Sequence, residues 1–245
     1  MSALTDSLRR PQILYLALSA IGFAVTFVIV MFVLLTQGHT AFNTTSLGVV
    51  WGLPIVTYDY FLLTSTGLAM VVSLALLFGL GGFFLIAKRC LWLAIAGLIG
   101  GVAVLMLELG YPFRALWATP LNMQLLSPLF WKVLLVGAYT VVLLLTFWRI
   151  EAAGWTRTSA RALGSLLFVL AVAIALVAGS VFGLMAMRPF WFGGEIPVVF
   201  LIESFLGGIA FAIFFTYSPT ASMPQPWRWK REPFSAAASP SCSRW

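Results

Sequence analysis

Six long apolar stretches fill most of this chain of 245 residues and limit what it can fold into. Each stretch reaches the ~20 residues that an α-helix needs to cross ~30 Å of hydrocarbon. Only 9% of the residues are charged, whereas about a quarter are charged in a soluble domain. We therefore predict an all-α, polytopic protein that is embedded in the lipid bilayer. The predicted spans are residues 13–36, 54–80, 90–109, 128–149, 159–184 and 195–217.

The second apolar stretch is the longest, since it continues from Pro54 to Ala87. A single helix of that length would measure ~50 Å. We expect Pro54 to begin the helix, and Gly79, Gly81 and Gly82 to end or kink it.

The basic residues indicate how the spans are oriented. Eleven of the 14 Lys and Arg residues lie at the N-terminus, in alternate connections or in the tail, and three lie on the other side. Because cytoplasmic loops carry an excess of Lys and Arg, we predict that both termini are cytoplasmic. The three outer basic residues are Arg114, Lys132 and Arg188.

Nucleic acid and metal cofactors have no support in the sequence. The basic residues form no continuous patch, so the pI of about 9.9 reflects topology rather than nucleic-acid binding. One histidine, His39, and two separated cysteines, Cys90 and Cys242, do not supply the usual ligands of a b-type haem or an iron–sulfur cluster. We expect no metal site in this chain.

Four acidic residues lie inside or at the edges of the apolar stretches: Asp59, Glu108, Glu195 and Glu203. A carboxylate near hydrocarbon is costly unless it is neutral, paired or hydrated, so such residues usually serve proton, ion or substrate handling.

Asp59 recurs with Thr66 and Ser73 at intervals of seven residues, which places the three on one face of the second span. We expect this face to point into a helix bundle. Asp59 has a functional interpretation in proton exchange and a structural one, as a carboxylate stabilised by water and by the helix dipole near an N-terminus.

Glu203 lies ~12 Å into the sixth span, and we expect it to be buried. The next residue, Ser204, begins a row of small residues with Gly208 and Ala212, which predicts close packing against a neighbouring helix.

Glu108 and Arg114 flank a Gly-Tyr-Pro turn, a spacing that lets the two side chains meet. The pair is compatible with a charge pair that fastens a loop, and equally with a site that holds a polar head group such as a quinone carbonyl.

Four segments together resemble the NrfD or polysulfide-reductase type of integral membrane subunit, which includes hydrogenase b-type relatives. They are VVWGLPIVTYDYFLLTSTGLAMV at 49–71, LELGYPFRALW at 107–117, LNMQLLSPLFWKVLLVGAY at 121–139 and MRPFWFGGEIPVVFLIESFLGGIAF at 187–211. They occur in the order in which the family has them.

The resemblance implies a subunit without its own haem or iron–sulfur cluster. Such a protein binds a quinone, menaquinone or ubiquinone, near the outer face and exchanges electrons with an iron–sulfur partner and, through it, a catalytic subunit. It implies a four-helix bundle over 54–184 and a second bundle that begins at 195–217. The candidate proton-exchanging residues are Asp59, Glu108 and Glu203, and the candidate quinone-binding residues are Trp51, Arg114, Asn122 and Ser127.

The chain departs from the family at two places. Tyr111 stands where the family often has Arg. After the last span, residues 218–245 are polar and rich in Pro and Ser, which predicts a disordered cytoplasmic tail, as the 12 residues before the first span predict a short N-terminal one. Compared with the family, we therefore expect a second bundle that is cut to one helix, either because a further protein of the complex completes a natural short form or because the reading frame is truncated or shifted.

Three functions remain open at this point. The first is a quinone-interacting subunit of a respiratory oxidoreductase in the cell (inner) membrane, without catalysis of its own. The second is a secondary transporter or proton-conducting protein, which intramembrane acids would also suit. The third is a structural anchor in which the acids only fasten loops.

Overall fold

The computed structural model describes residues 10–42, 52–79, 84–109, 111–121, 123–151, 157–185 and 192–217. These residues form helices and connections and contain no strand. Six helices are long and apolar enough to span a membrane, which confirms the predicted fold class. The helices are α1 (Arg10–Gln37), α2 (Leu53–Phe78), α3 (Phe84–Glu108), α4 (Pro112–Leu121), α5 (Pro128–Glu151), α6 (Arg157–Gly183) and α7 (Ile196–Tyr217), with a 3-10 turn (Gly38–Ala41) after α1.

The ends of α2 follow from its sequence. Pro54 lies in the first turn, where its missing N–H has no partner to lose. Gly79 ends the helix in the left-handed conformation, with φ 66° and ψ 37°, and its N–H donates to the carbonyl of Ala75. A glycine adopts this conformation without steric cost. The predicted role of Gly79 is confirmed, while Gly81 and Gly82 lie outside the described residues.

The short helix α4 was not predicted. The sequence suggested a turn followed by a loop between the third and fourth spans, but Pro112 begins a helix of 10 residues there. Proline at the first helical position has its φ already set for a helix, and the segment is too short to show a clear apolar period.

Four helices form a ring in which each contacts the next: α2 with α3, α3 with α5, α5 with α6, and α6 with α2. Helix α7 packs outside this ring against both α2 and α6. Helix α2 is therefore central, and its side chains are the most buried of all the spans. By contrast, α1 has no buried residue in its span and lies beside the 3-10 turn that follows it.

Helices α2 and α7 cross at very short range. A Cβ atom added to Gly67 would lie 1.8 Å from the carbonyl oxygen of Ser204, and one added to Gly208 would lie 2.2 Å from the carbonyl carbon of Gly67. The hydroxyl of Ser204 donates to the carbonyl of Leu63 at 2.9 Å and hydrogen-bonds the hydroxyl of Thr66 at 3.0 Å. Ser204, Gly208 and Ala212 are all buried, so the predicted small-residue packing is confirmed.

The candidate site residues lie mainly at one end of the bundle. Helices α2, α5 and α7 begin at this end, and α3 and α6 finish there. The N–H of Gly193, just before α7, donates to the carbonyl of Gly183 at the end of α6, and Gly101 in α3 approaches Tyr58 near the start of α2. We call this the Asp59 end, after the buried acid that it contains.

Candidate functional site

An ion pair between Asp59 and Lys132 lies inside the Asp59 end. The ammonium group of Lys132, in the second turn of α5, donates to Oδ1 of Asp59, in the second turn of α2. Each side chain is only 6% exposed. The pair therefore joins two helices of the bundle by opposite charges, at a depth of ~6–9 Å from the helix starts.

Lys132 is a site residue that the sequence did not reveal. The distribution of basic residues places it in an outer connection, but it lies inside the fourth apolar span and is buried. Its position was the available signal, since a Lys four residues beyond the start of a membrane span is itself an intramembrane charge. The sequence offered no means of recognising Asp59 as its partner.

The ring of Tyr58 completes the surroundings of the ammonium group. The Nζ atom of Lys132 lies 4.9 Å from the centroid of this ring, within the range of a cation–π contact. Tyr58 is itself buried. Lys132 is thus held by a carboxylate and by an aromatic face, which limits the positions that its ammonium group can take.

Asp59 uses only one of its two carboxylate oxygens. Oδ1 accepts from Lys132, whereas Oδ2 is buried and has no hydrogen-bond partner among the described residues. A buried acceptor without a donor costs about 1–3 kcal/mol, and more when it is charged. This oxygen is therefore a strong acceptor for a proton or for the hydroxyl group of a bound molecule.

The ion pair is a poor explanation for stability. Removing two charges from a polar solvent costs several kcal/mol per ion, and apolar residues of similar volume often stabilise a protein equally well. In a membrane the same charges are rare and usually serve proton or substrate handling. The arrangement thus favours a functional role for Asp59 over the structural alternative.

A second polar cluster, deeper in the bundle, aligns the helices that carry the pair. The hydroxyl of Ser65 in α2 donates to the carbonyl of Ala94 in α3 at 2.7 Å and lies 2.9 Å from the hydroxyl of Tyr139 in α5. Tyr139 in turn donates to the carbonyl of Ser65 at 3.0 Å. Ser65 and Tyr139 are completely buried. These bonds set the register of α2 and α5, so that Lys132 faces Asp59.

The predicted polar face of α2 is buried throughout. Asp59 is 4% exposed, and Thr66 and Ser73 are not exposed at all. Thr66 faces α7, through Ser204, while the hydroxyl of Ser73 donates to the carbonyl of Ala69 within the helix. The face therefore points into the protein as predicted, although its three members contact different neighbours.

Glu108 and Arg114 occupy different environments. Glu108 is the last residue of α3 and is buried, so the structure brings it to the Asp59 end on a helix adjacent to α2. Arg114 lies in α4 with an exposed side chain and forms no ion pair with Glu108. The contact that their spacing allows is therefore not made: Glu108 is buried in the bundle, whereas Arg114 is exposed.

The prediction that Glu203 is buried is wrong. Its side chain is exposed, on the side of α7 opposite to the crossing with α2. Successive residues of a helix are ~100° apart, so the close packing of Ser204 turns Glu203 away from the bundle. Glu195, which precedes α7, is exposed as well, and its carbonyl accepts the N–H groups of Val198 and Val199.

Three predicted quinone-binding residues remain, and the structure describes one of them, Ser127. Ser127 is half-buried immediately before α5, and it lines an open depression of about 600 Å³ together with residues 123–126. Trp51 and Asn122 lie outside the described residues. In the described ranges there is no group of three or more His, Cys, Asp or Glu side chains that could hold a metal ion.

Comparisons with known proteins point to one family. The family model described as "Polysulphide reductase, NrfD" matches residues 41–223, which is most of the chain. The chain is also similar to one of the subunits of a selenate reductase from Mesobacillus selenatarsenatis, with 26% identity over 228 residues. That match covers 78% of this chain and 53% of the relative, so the chain spans about half the relative's length. No solved structure gives a significant match.

Proposed function

The chain belongs to the NrfD polysulphide reductase family, and from that membership we propose that it is a quinone-interacting membrane subunit of a multi-subunit oxidoreductase. Six helices among its described residues are long and apolar enough to cross a membrane, and together with its family they make it a multi-pass membrane protein. The observation that carries the proposal is the buried ion pair of Asp59 and Lys132. The family relationship supplies the redox context, and the pair supplies a group that can exchange a proton within the membrane.

The proposed chemistry is proton exchange coupled to electron transfer. Reducing a quinone consumes two electrons and two protons, and oxidising a quinol releases them. We propose that Asp59 exchanges one of these protons through Oδ2, the oxygen that Lys132 does not occupy. Lys132 is proposed to keep Asp59 oriented and to balance its charge. The pair would then hold a proton donor and acceptor at a fixed position near one membrane face.

Glu108 and Arg114 have more peripheral roles in this proposal. Glu108 is buried at the same end of the bundle as Asp59, which suits a second proton-exchanging group. The exposed Arg114 and the half-buried Ser127 lie in and after α4, at the edge where a head group would enter. Trp51 and Asn122 stay candidate quinone-binding residues by family resemblance, whereas Glu203 is exposed on the far side of α7 and takes no part in this proposed site.

The partners are proposed from the family and from the relative's name. The relative is named as a subunit of a selenate reductase, so it is by name one part of a larger enzyme. We propose by analogy that an iron–sulfur protein carries electrons between a catalytic subunit and the quinone bound by this chain. In this proposal the membrane chain handles only quinone and protons, so the catalytic partner alone determines the substrate of the complex.

The test replaces the ion pair by a neutral pair of similar shape, Asp59→Asn with Lys132→Gln. The amides retain a hydrogen bond between α2 and α5, but they exchange no proton at neutral pH. We expect the complex to assemble, and quinone-linked turnover to fall by about 10²-fold, the lower range for loss of a general acid–base group. Turnover is measured in the purified complex with a soluble quinone and a donor or acceptor dye.

A matched control is Thr140→Val, which alters a half-buried hydroxyl of α5 that bonds only the carbonyl of Val136 within the helix. This variant should turn over like the parent. If the neutral pair assembles and retains normal turnover, Asp59 has no part in proton exchange. The chain alone can also be reconstituted in liposomes. If it conducts protons there without any redox partner, the result favours a transporter and contradicts the quinone proposal.

Orientation is a further prediction of the proposed function. Because Lys and Arg are concentrated in alternate connections and in the tail, we propose that both termini are cytoplasmic and that the Asp59 end faces outward across the cell membrane. An alkaline phosphatase fused after residue 217 should be inactive, whereas one fused after residue 121 should be active. The reverse pattern would contradict the orientation, and with it the placement of the quinone site.

A further inference from the structure

Helix α7 presents two different faces. The face toward α2 and α6 consists of small and half-buried residues, while the opposite face is exposed. We call the exposed surface the Glu203 face, and its members recur at intervals of three and four residues. They are Val199, Ile202, Glu203, Leu206, Ala210 and Ile213.

Glu203 lies well inside the hydrocarbon. It is seven residues beyond Ile196, the first residue of the span, which corresponds to a depth of ~10 Å from the Asp59 end. The remaining 11 residues of the span, to Phe214, separate it from the other membrane surface. Its short side chain lacks the long aliphatic stem with which Lys and Arg reach the interface.

No described residue bonds the carboxylate of Glu203, although Asp59, an acid at a similar depth, is paired with Lys132. A charged or polar group that faces lipid tails at this depth is costly, and intramembrane acids almost always face protein, water or an opposite charge. The apolar residues around Glu203 would suit either lipid or another helix. The carboxylate of Glu203 suits only another helix.

We propose that the Glu203 face is an interface for a transmembrane helix of a partner membrane protein, and that this helix carries a Lys or Arg at the depth of Glu203. The basic side chain would compensate the charge of the carboxylate inside the hydrocarbon, where water does not hydrate it. The result would be an ion pair between two proteins of the complex. It would resemble the Asp59–Lys132 ion pair, which lies within this chain.

The pattern of the face supports a helix as the occupant. Residues at positions 199, 203, 206, 210 and 213 alternate spacings of four and three, the repeat by which two helices pack at a small left-handed angle. The stripe is ~21 Å long, about two thirds of the hydrocarbon thickness. Ala210, in the second half of the stripe, permits a close approach of the second backbone.

Two other occupants fit less well. In a symmetric pair of copies of this chain, the two Glu203 side chains would approach each other, and like charges at close range are unfavourable. Residues 218–245 contain Arg228, Lys230, Arg231, Glu232 and Arg244, and no apolar run of the length that a span requires, so this segment is not the occupant. Charge complementarity therefore favours a basic helix of another protein.

The test places a photoreactive amino acid, p-benzoylphenylalanine, at Leu206 of the full chain in its native membranes. We expect irradiation to yield a single adduct with one partner protein, in which mass spectrometry locates the cross-link in a transmembrane helix that contains Lys or Arg. The same group at Ile99, an exposed apolar residue of α3, is the matched control and should not capture this partner.

The charge of Glu203 is then varied. Glu203→Lys should lower the yield of the adduct by at least about tenfold, since like charges at an interface cost several kcal/mol, and Glu203→Gln should lower it less. Reversing the partner's basic residue to Glu should restore the yield for Glu203→Lys. In a Cys242→Ser background, protection of the buried Cys90 thiol from maleimide shows that each variant is folded.

Three results would overturn the proposal. One is an adduct between two copies of this chain, which would make the face a dimer interface. Another is the absence of any protein adduct at Leu206 beyond that at Ile99, which would mean that the face contacts lipid. The third is a partner helix without a basic residue, or a yield that does not respond to Glu203→Lys. None of these results bears on turnover in the Asp59 variants, so the two proposals fail separately.

Discussion

Replacing Lys132 by methionine should lower the free energy of unfolding by about 3–5 kcal/mol, the cost of leaving one charge of a buried pair without its partner. Methionine fills a similar volume, so the loss is electrostatic rather than steric. Asp59 would keep its place between α2 and α5 with neither oxygen bonded by the ammonium group that now holds it. Unfolding is measured by titrating SDS into mixed micelles and following the reactivity of Cys90, in a Cys242→Ser background.

Removing both charges should reverse this loss. The double variant Asp59→Leu with Lys132→Met replaces the pair by apolar side chains, and such replacements are often neutral or stabilising. We expect its stability to return to within about 1 kcal/mol of the parent, while quinone-linked turnover stays low. A control is Arg149→Met, which removes an exposed basic residue from the same helix and should cost about 1 kcal/mol or less.

The two outcomes separate stability from function. If the apolar double variant is stable and inactive, the pair exists for chemistry rather than for folding. If it is as unstable as Lys132→Met alone, the ion pair contributes net stability, and the structural interpretation of Asp59 regains weight. If Lys132→Met costs nothing, then Asp59 finds another partner or becomes neutral, and Lys132 has no orienting role.

The spans were predictable because hydropathy reports directly on the solvent. Burial in lipid needs a run of ~20 apolar residues and little else, so the six spans and the all-α class followed from the sequence. Local signals were equally reliable where one residue decides the geometry. Gly79 ends α2 through a left-handed conformation, and Ser204 and Gly208 allow α7 to approach α2.

The site was harder to predict because it depends on how helices are rotated against each other. Asp59 and Lys132 are 73 residues apart in sequence, and their meeting depends on the register that Ser65 and Tyr139 set between α2 and α5. The apolar pattern of each span does not reveal that register. Its nearness to a helix start places Lys132 in a connection, a rule that predicts topology well but does not identify site residues.

The error at Glu203 has a simpler origin. Depth along a helix predicts how far a residue lies from the membrane surface, but not the direction in which its side chain points. The row of Ser204, Gly208 and Ala212 already indicated the packed side of α7, and its neighbour Glu203 is turned by ~100° from that side. Combining the two observations would have predicted an acid that faces away from the bundle, as the structure shows.

The crossing of α2 and α7 gives the other large effect. Gly208→Ala places a Cβ atom 2.2 Å from the carbonyl carbon of Gly67, a contact with backbone that no side-chain rotation can relieve. The helices must separate, and the hydrogen bonds of Ser204 to Thr66 and Leu63 must lengthen or break. Overpacking usually costs about 1–3 kcal/mol, and we expect about 3 kcal/mol here because the obstacle is rigid.

The adjacent glycine is the matched control. A Cβ atom at Gly207 would meet nothing within 4 Å, so Gly207→Ala should leave the stability unchanged or raise it by up to about 1 kcal/mol through its better helix propensity. Both variants are compared by SDS titration with Cys90 as the reporter. A loss in Gly208→Ala that Gly207→Ala does not share would establish the close crossing, while equal effects would mean that α7 does not pack on α2 through Gly208. Since this crossing turns Glu203 outward, displacing α7 should also reduce the photo-cross-linking at Leu206.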